Sequence, residues 1–352
     1  MTVPTAPPPA AAWVVVDVGT GHVLAAYRDH QLLPPASLTK VLTALVATRW
    51  LPAGDSIPVT PAAATVYPDR VGMKAGQVWP LDLAIHSLLI FSANDAAYAI
   101  AQRVSGSLAS FGGAMDTAAG ELGMVDHPVL HDPAGLDGTE GVDGGNLMSA
   151  RDLAIAGRAL LAEPYLAQMV ALHHFPFKGP DGIGYDIETK NLAFMLSEPG
   201  AIGIKTGFTD RAGSCLMGAA TQGGRTLMAV VLNGPNATLS ARDLLAQGFA
   251  IPAAAEPTAD SLPAVVIPHP LPHRAPARTA PESGDGQGAL AAASVPARAP
   301  ATPPLPPSPA GGLPPVWSAT AAGAALGVAV TAIAAVGRRR RLTRPRLRPH
   351  RH

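Results

Sequence analysis

Apolar residues change their spacing several times along this chain, and each change predicts an element. Residues 13–18 and 23–27 are short apolar runs, separated by Gly19-Thr20-Gly21. Runs of that length around a glycine-rich break predict a β-hairpin, with Asp17 and Gly21 as turn residues. Residues 41–47 form an apolar run of helical length behind Pro34-Pro35-Ala36-Ser37. Prolines followed by a serine are a helix-start signal, so a helix is expected from Ser37 to just before Pro52. From residue 58 to about 199 the pattern is mostly helical. Residues 81–90 and 96–104 repeat apolar positions at helical spacing, 107–122 more weakly, and 150–161 follow Ser149 as an N-cap. Loops rich in Gly and Asp separate them, notably 132–145. Three strand-like runs follow, at 202–206, 214–221 and 225–232, the last two joined by Gln222-Gly223-Gly224 as a hairpin turn. A helix over 239–250 closes this part. Hairpin, helices, three strands and helix predict a mainly antiparallel sheet with a helical insertion between its second and third strands. There are no internal repeats.

From 251 to 315 periodicity stops, and Pro, Ala, Ser and Gly dominate. Such a segment buries too little apolar area to fold and is expected to be an extended linker. Residues 316–336 then contain no charge. As a helix this stretch is about 30 Å long, one hydrocarbon thickness, and it is read as a transmembrane helix rather than a soluble Ala-rich one. Trp317 suits an interface position. Arg338-Arg339-Arg340-Arg341 beyond the other end places the basic tail, 337–352, in the cytoplasm and the body outside. An outside body needs an export signal, yet the Pro- and Ala-rich residues 1–12 have no basic start or long apolar core. The expectation is therefore that the true start lies upstream of Met1 or that the sequence was trimmed.

A length of 352 residues allows one large domain or two smaller ones. The formal net charge of zero is an average. The last fifteen residues hold eight Arg and no acid, leaving 17 basic against 25 acidic residues before them. A body that acidic argues against nucleic acid as partner, and the basic tail is read with the membrane helix instead. The single cysteine, Cys215, allows no internal disulfide and is expected to be a small core residue in a strand.

Candidate chemistry sits in three short motifs. In Ser37-Leu38-Thr39-Lys40, positions i and i+3 share a helical face, so the Lys40 amine lies one turn from the Ser37 hydroxyl. A serine needs an adjacent base to attack a carbonyl, and lysine serves only when burial or a nearby cation keeps it neutral. Alone, the motif favours an N-cap serine and a surface lysine, and it is the motifs downstream that reverse this. Ser92-Ala93-Asn94 follows 55 positions later, between two helices, and Lys205-Thr206-Gly207 a further 113 on, at a strand. The three in this order form the motif set of penicillin-binding proteins and β-lactamases.

The residues around them sharpen the likeness. Pro35-Ala36 before Ser37, Phe91 to Ala97 around the second motif, Glu121-Leu122-Gly123-Met124, Gly135-Leu136-Asp137-Gly138 and Gly203 to Thr209 resemble the serine D-alanyl-D-alanine carboxypeptidases of the low-molecular-mass penicillin-binding proteins, peptidase family S11. The resemblance covers about 13–250. It implies an α/β (α+β) fold of the β-lactamase/transpeptidase type, a five-stranded antiparallel sheet flanked by helices with a mainly helical subdomain. It implies Ser37 as acyl-ester nucleophile, Lys40 as general base, Ser92 as proton relay, and Asn94 holding Lys40 and the substrate amide. Lys205 and Thr206, with Gly207 and Phe208, are implied as substrate-binding residues; Lys205 is also expected to help keep Lys40 neutral. The backbone N–H groups of Ser37 and Phe208 are the expected oxyanion hole. The implied partners are a peptidoglycan stem peptide ending in D-Ala-D-Ala and β-lactams as covalent inhibitors, with no metal and no organic cofactor.

Two departures stand out: Ala93 occupies a position where glycine is frequent, and linker and span replace the β-rich domain that many relatives add. A β-lactamase would need a glutamate for deacylation; Glu163, the nearest candidate, precedes Pro164 and lacks a neighbouring Asn. DD-endopeptidase activity and a non-catalytic cell-wall scaffold compete with the carboxypeptidase reading. Gly72 to Gly76 is either a cleft loop or a plain turn, Asn191 a substrate contact or a structural amide. His173-His174 has no companion at zinc-ligand spacing, and Arg211 is read as a solvated turn residue.

Overall fold

A computed structural model describes residues 9–266. In chain order its elements are β1 (Ala12–Asp17), β2 (Val23–Tyr27), α1 (Thr39–Trp50), β3 (Ser56–Pro58), α2 (Pro61–Thr65), β4 (Val78–Pro80), α3 (Leu81–His86), α4 (Asn94–Ser105), α5 (Leu108–Leu122), α6 (Ala150–Ala162) and α7 (Pro164–Val170). Then follow β5 (His174–Lys178), β6 (Gly184–Glu188), α8 (Leu192–Ser197), β7 (Ala201–Thr209), β8 (Gly213–Gln222), β9 (Arg225–Gly234) and α9 (Ala237–Phe249). The main sheet has five strands in the order β2-β1-β9-β8-β7, every pair antiparallel. The expected hairpin and three later strands thus form one sheet. Its helical insertion separates β2 from β7, which end up on opposite edges.

The central strands read as unbroken apolar runs because both faces of the sheet are covered. Val14, Val16, Met217, Ala219, Met228 and Val230 join the larger core with α1 and α6. Their neighbours Trp13, Val15, Leu216, Ala220, Ala229 and Val231 alternate into a smaller core under α9. Cys215 is buried in β8.

Several local expectations shift. The helix expected from Ser37 begins as a 3-10 turn, Ala36–Leu38, and becomes α-helical only at Thr39. The helix over 81–90 is α-helical to His86 and then widens into a π-turn, Ser87–Phe91. The stretch from 58 to 199 also contains the hairpin β5-β6 and the short strand β4, which pairs with β3. In β5 and β6 the inward residues Phe175, Phe177, Tyr185 and Ile187 alternate with exposed ones, a period-2 signal that Pro176 obscures. His174 is exposed and hydrogen-bonded to its diagonal neighbour Asp186 at 3.2 Å.

The first residues of the linker expected over 251–315 belong to the body, and those from 267 lie outside the described residues. Residues 256–263 lie against the body. Arg151 holds Asp260 with two bonds of 2.9 and 2.6 Å, Leu262 is buried and donates its N–H to Gly21, and Arg158 donates to the Pro263 carbonyl. Composition suggested an unfolded segment; a few tertiary anchors are enough to dock it. The expected span 316–336 and tail 337–352 lie outside the described residues, among which no helix is long and apolar enough to cross a membrane.

Candidate active site

The 3-10 turn aims the nucleophile. Side chains at i and i+3 eclipse in this geometry, and Ser37 Oγ lies 2.7 Å from Lys40 Nζ. Ser37 makes no cap bond to the helix, so the N-cap reading does not apply. Lys40 is fully buried and donates its second bond, 2.8 Å, to the Ala134 carbonyl. Burial pushes its pKa down from 10.5 to about 7, against the opposing pull of Asp132, Asp69 and Asp95. The amine is therefore about half neutral near pH 7.

Lys205 enters from β7 and is also buried. Its amine donates to the Thr206 carbonyl at 2.9 Å. Burial first, then the Lys40 amine, pushes its pKa well below the usual range. Burial thus lowers both amines, and the repulsion between them favours a neutral amine in the pair, as the expected role of Lys205 requires.

The second motif is placed by strain. After the π-turn, Ser92 adopts a left-handed backbone, φ 68°, which a non-glycine residue holds only when its surroundings enforce it. The Ala93 N–H donates to the Ser87 carbonyl at 3.0 Å and fixes the exit. Asn94 makes no hydrogen bond to Lys40, one half of its expected role. Its side-chain amide donates to the Tyr67 carbonyl at 2.8 Å, and its backbone N–H donates to Asp69, so it ties α4 to the 66–73 loop rather than to Lys40. Asp95 completes this clamp by accepting the N–H groups of Val71, Gly72 and Met73 at 2.9 to 3.1 Å. The glycine loop starting at Gly72 is thus anchored beside the site.

Two glycines let backbone reach the nucleophile. A Cβ on Gly207 would stand 3.0 Å from Ser37 N, so this residue acts by its lack of a side chain. A Cβ on Gly135, at φ +78°, would meet the Ala36 carbonyl oxygen at 1.9 Å. Both β7 and the 132–142 loop are pressed against the turn that carries Ser37.

Above the amines lies a cleft of about 350 Å³ whose wall includes Ser37, Tyr67, Ser92, Asn94, Leu136 and Phe208. Phe208 is 68% exposed. Lys40, Lys205 and Gly207 lie beneath this wall, and Thr206 is half-buried off it. Asp69, Asp137, Glu140 and Asp210 give the wall an acidic rim. Glu163 ends α6 away from the cleft wall. Arg211 is bonded to the Gly144 carbonyl at 3.2 Å. Asn191 is buried with neither side-chain atom hydrogen-bonded among the described residues. The motifs did not indicate Ala134, Asp132 or Tyr98, because nothing in their spacing marks them; only burial and hydrogen bonding do.

The family model described as D-alanyl-D-alanine carboxypeptidase, peptidase S11, matches residues 2–236. D-alanyl-D-alanine carboxypeptidase DacB2 of Mycobacterium tuberculosis is 33% identical over 256 residues, covering 71% of this chain and 86% of that protein. D-alanyl-D-alanine carboxypeptidase DacC of Escherichia coli is 35% identical over 242 residues, covering 63% of this chain but 56% of that protein. Among solved structures, a D-alanyl-D-alanine carboxypeptidase from M. tuberculosis superposes with a TM-score of 0.67 at 32% identity, over 72% of this chain and 96% of its own. Penicillin-binding protein D2 of Listeria monocytogenes in its ampicillin-bound form gives 0.59 at 26% identity, over 70% of this chain and all of its own.

Proposed function

We propose, for a chain that belongs to the S11 family of D-alanyl-D-alanine carboxypeptidases, that it removes the terminal D-Ala from peptidoglycan stem pentapeptides through an acyl-enzyme on Ser37. The observation that carries this is the pair at 2.7 Å, a half-buried serine hydroxyl on the cleft wall against a buried amine poised near neutrality. Lys40 takes the hydroxyl proton as Ser37 Oγ attacks the carbonyl of the D-Ala-D-Ala bond. The tetrahedral intermediate collapses when the C–N bond breaks, and Ser92, on the cleft wall, passes a proton to the departing D-Ala amine. Water then attacks the ester, gives its proton back through Lys40, and frees Ser37. A backbone N–H aimed at the oxyanion is worth about 10² to 10³ in rate. An entering substrate carboxylate favours the charged form of Lys205, because an anion offsets the repulsion from Lys40.

A β-lactam amide occupies the same place. It acylates Ser37 but keeps its leaving group tethered, so deacylation is slow. The ampicillin-bound relative supports this reading.

The remaining readings rest on sequence. The uncharged stretch 316–336, flanked by Trp317 and four arginines, supports a single-pass anchor with the catalytic domain outside the membrane and the tail in the cytoplasm.

The test is mass spectrometry of D-Ala release from a pentapeptide, with labelling by a fluorescent penicillin. Release and stable labelling, both lost in Ser37→Ala, are expected. Rapid turnover of the label would make the protein a β-lactamase, and its absence a scaffold.

A further inference from the structure

Two residues before Ala134, whose carbonyl holds the Lys40 amine, lies a carboxylate to which the mechanism above gives no task. Asp132 is completely buried. Its Oδ1 accepts the N–H groups of Ala134 and Leu136 at 2.8 and 3.0 Å. Its Oδ2 accepts the Tyr98 hydroxyl at 2.7 Å and the Val142 N–H at 3.0 Å. Four donors converge on two oxygens, which only an ionised carboxylate satisfies at both atoms; an asparagine would turn an NH₂ toward a donor. Asn146 secures the same segment from outside. It accepts the Asp132 N–H at 2.8 Å, and its amide donates to the Asp132 carbonyl and to Thr39 Oγ1 on α1. Thr43, also on α1, donates to the Pro133 carbonyl at 2.7 Å. The segment so held ends in the Ala134 carbonyl, the acceptor of Lys40, and in Gly135, wedged against the turn of Ser37.

We propose that Asp132 is a positioning residue of the catalytic centre: its carboxylate folds the 132–142 loop so that the Ala134 carbonyl aims the Lys40 amine at Ser37, and its charge supports the protonated form of that amine during catalysis.

This rests on Lys40 being the base. An amine that accepts a proton in a dry site becomes a buried cation, which is costly unless a negative charge stands near. The charged groups facing Lys40 are Asp132 from the loop, Asp69 from the 66–73 loop, Asp95 from α4 and Lys205 from β7. Asp132 is the largest of the supporting charges. Asp95 is engaged with three loop N–H groups, and Asp69 is more than half exposed and 3.3 Å from Lys190. Asp132 alone combines full burial with a loop that ends on the amine.

The experiment is the second-order rate of acylation by a fluorescent penicillin between pH 5 and 9. In the wild-type protein the rate should rise with pH through a limb near 7, where Lys40 loses its proton. Asp132→Asn should move that limb to lower pH by about one unit, because the neutral amine is then favoured, while the plateau rate falls at least tenfold as the loop loosens. Loss of rate at every pH with the limb in place, as for a merely structural residue, overturns the proposal. If Asp132→Asn does not fold, Tyr98→Phe decides. Stripping one donor leaves the carboxylate charge less dispersed and should move the limb up; an unmoved or lowered limb overturns the proposal. A wild-type protein that is never acylated would instead overturn the function on which the proposal rests.

Discussion

Replacing Lys40 by methionine should make this protein inactive and more stable. The lysine is fully buried, and burial moves its pKa from 10.5 to about 7. Each unit is about 1.4 kcal/mol, so at or below neutral pH the folded state bears about 5 kcal/mol to hold this group. Methionine has a similar length and no charge. It leaves the Ala134 carbonyl, which accepts from Lys40 at 2.8 Å, without that donor. An orphaned buried acceptor costs about 1–3 kcal/mol, so the net gain should be about 2–4 kcal/mol. For a folded body of this size that corresponds to a rise in Tm of about 5–15 °C. The pH dependence separates this cause from improved packing. Because the folded pKa is the lower one, the unfolded chain binds more protons between pH 7 and 10.5, and wild-type stability rises with pH across that window. The advantage of Lys40→Met should therefore be full at pH 7 and below, shrink as pH rises, and vanish between about pH 8.5 and 10, where the remaining cost of the lysine equals that of the orphaned acceptor. Thermal unfolding followed by circular dichroism at pH 6, 7, 8.5 and 10 measures it. A variant less stable than wild type at pH 7, or a gain that does not change with pH, would refute the reasoning.

Other consequences can be measured on the same protein. Ser37→Ala should abolish fluorescent-penicillin labelling and lower D-Ala release by at least about 10⁴-fold, since removing a nucleophile leaves only binding and oxyanion contacts. Gly207→Ala puts a methyl 3.0 Å from the Ser37 N–H, and should cut the acylation rate at least about tenfold while Tm falls by only a few degrees. Asp95→Asn exchanges one acceptor oxygen of the loop clamp for a donor; acylation should slow, and hydrogen exchange should rise at Val71, Gly72 and Met73 while α9 stays protected. Arg151→Ala frees Asp260 and leaves Asp29 buried with its Arg151 bond lost. It should cost about 2–4 kcal/mol and expose 256–263 to rapid exchange without changing the acylation rate constant of the folded enzyme.

Chain-local chemistry settled much of this protein. Short unbroken apolar runs bounded by turn residues located the main-sheet strands, because both their faces are buried, and helical spacing located most helices, because each turns one face to a core. Ser37 and Lys40 were legible as a pair because three residues along a helical turn fix their separation whatever lies around them. The three motifs, in order, carried the family. Other features are properties of the fold. That Lys40 is a base at neutral pH follows from its burial beneath the cleft, which no neighbour in sequence announces. Asn94 turns to Tyr67 because the 66–73 loop folds over the start of α4. Residues 256–263 read as linker by composition, yet dock because Arg151 and Arg158 wait for them on α6. Asp132 lies 92 positions from Lys40 in a loop of ordinary composition. The physical reason is common to these cases: periodicity and capping act within a few residues, whereas dielectric and hydrogen-bond partners are set by whatever the completed chain brings alongside.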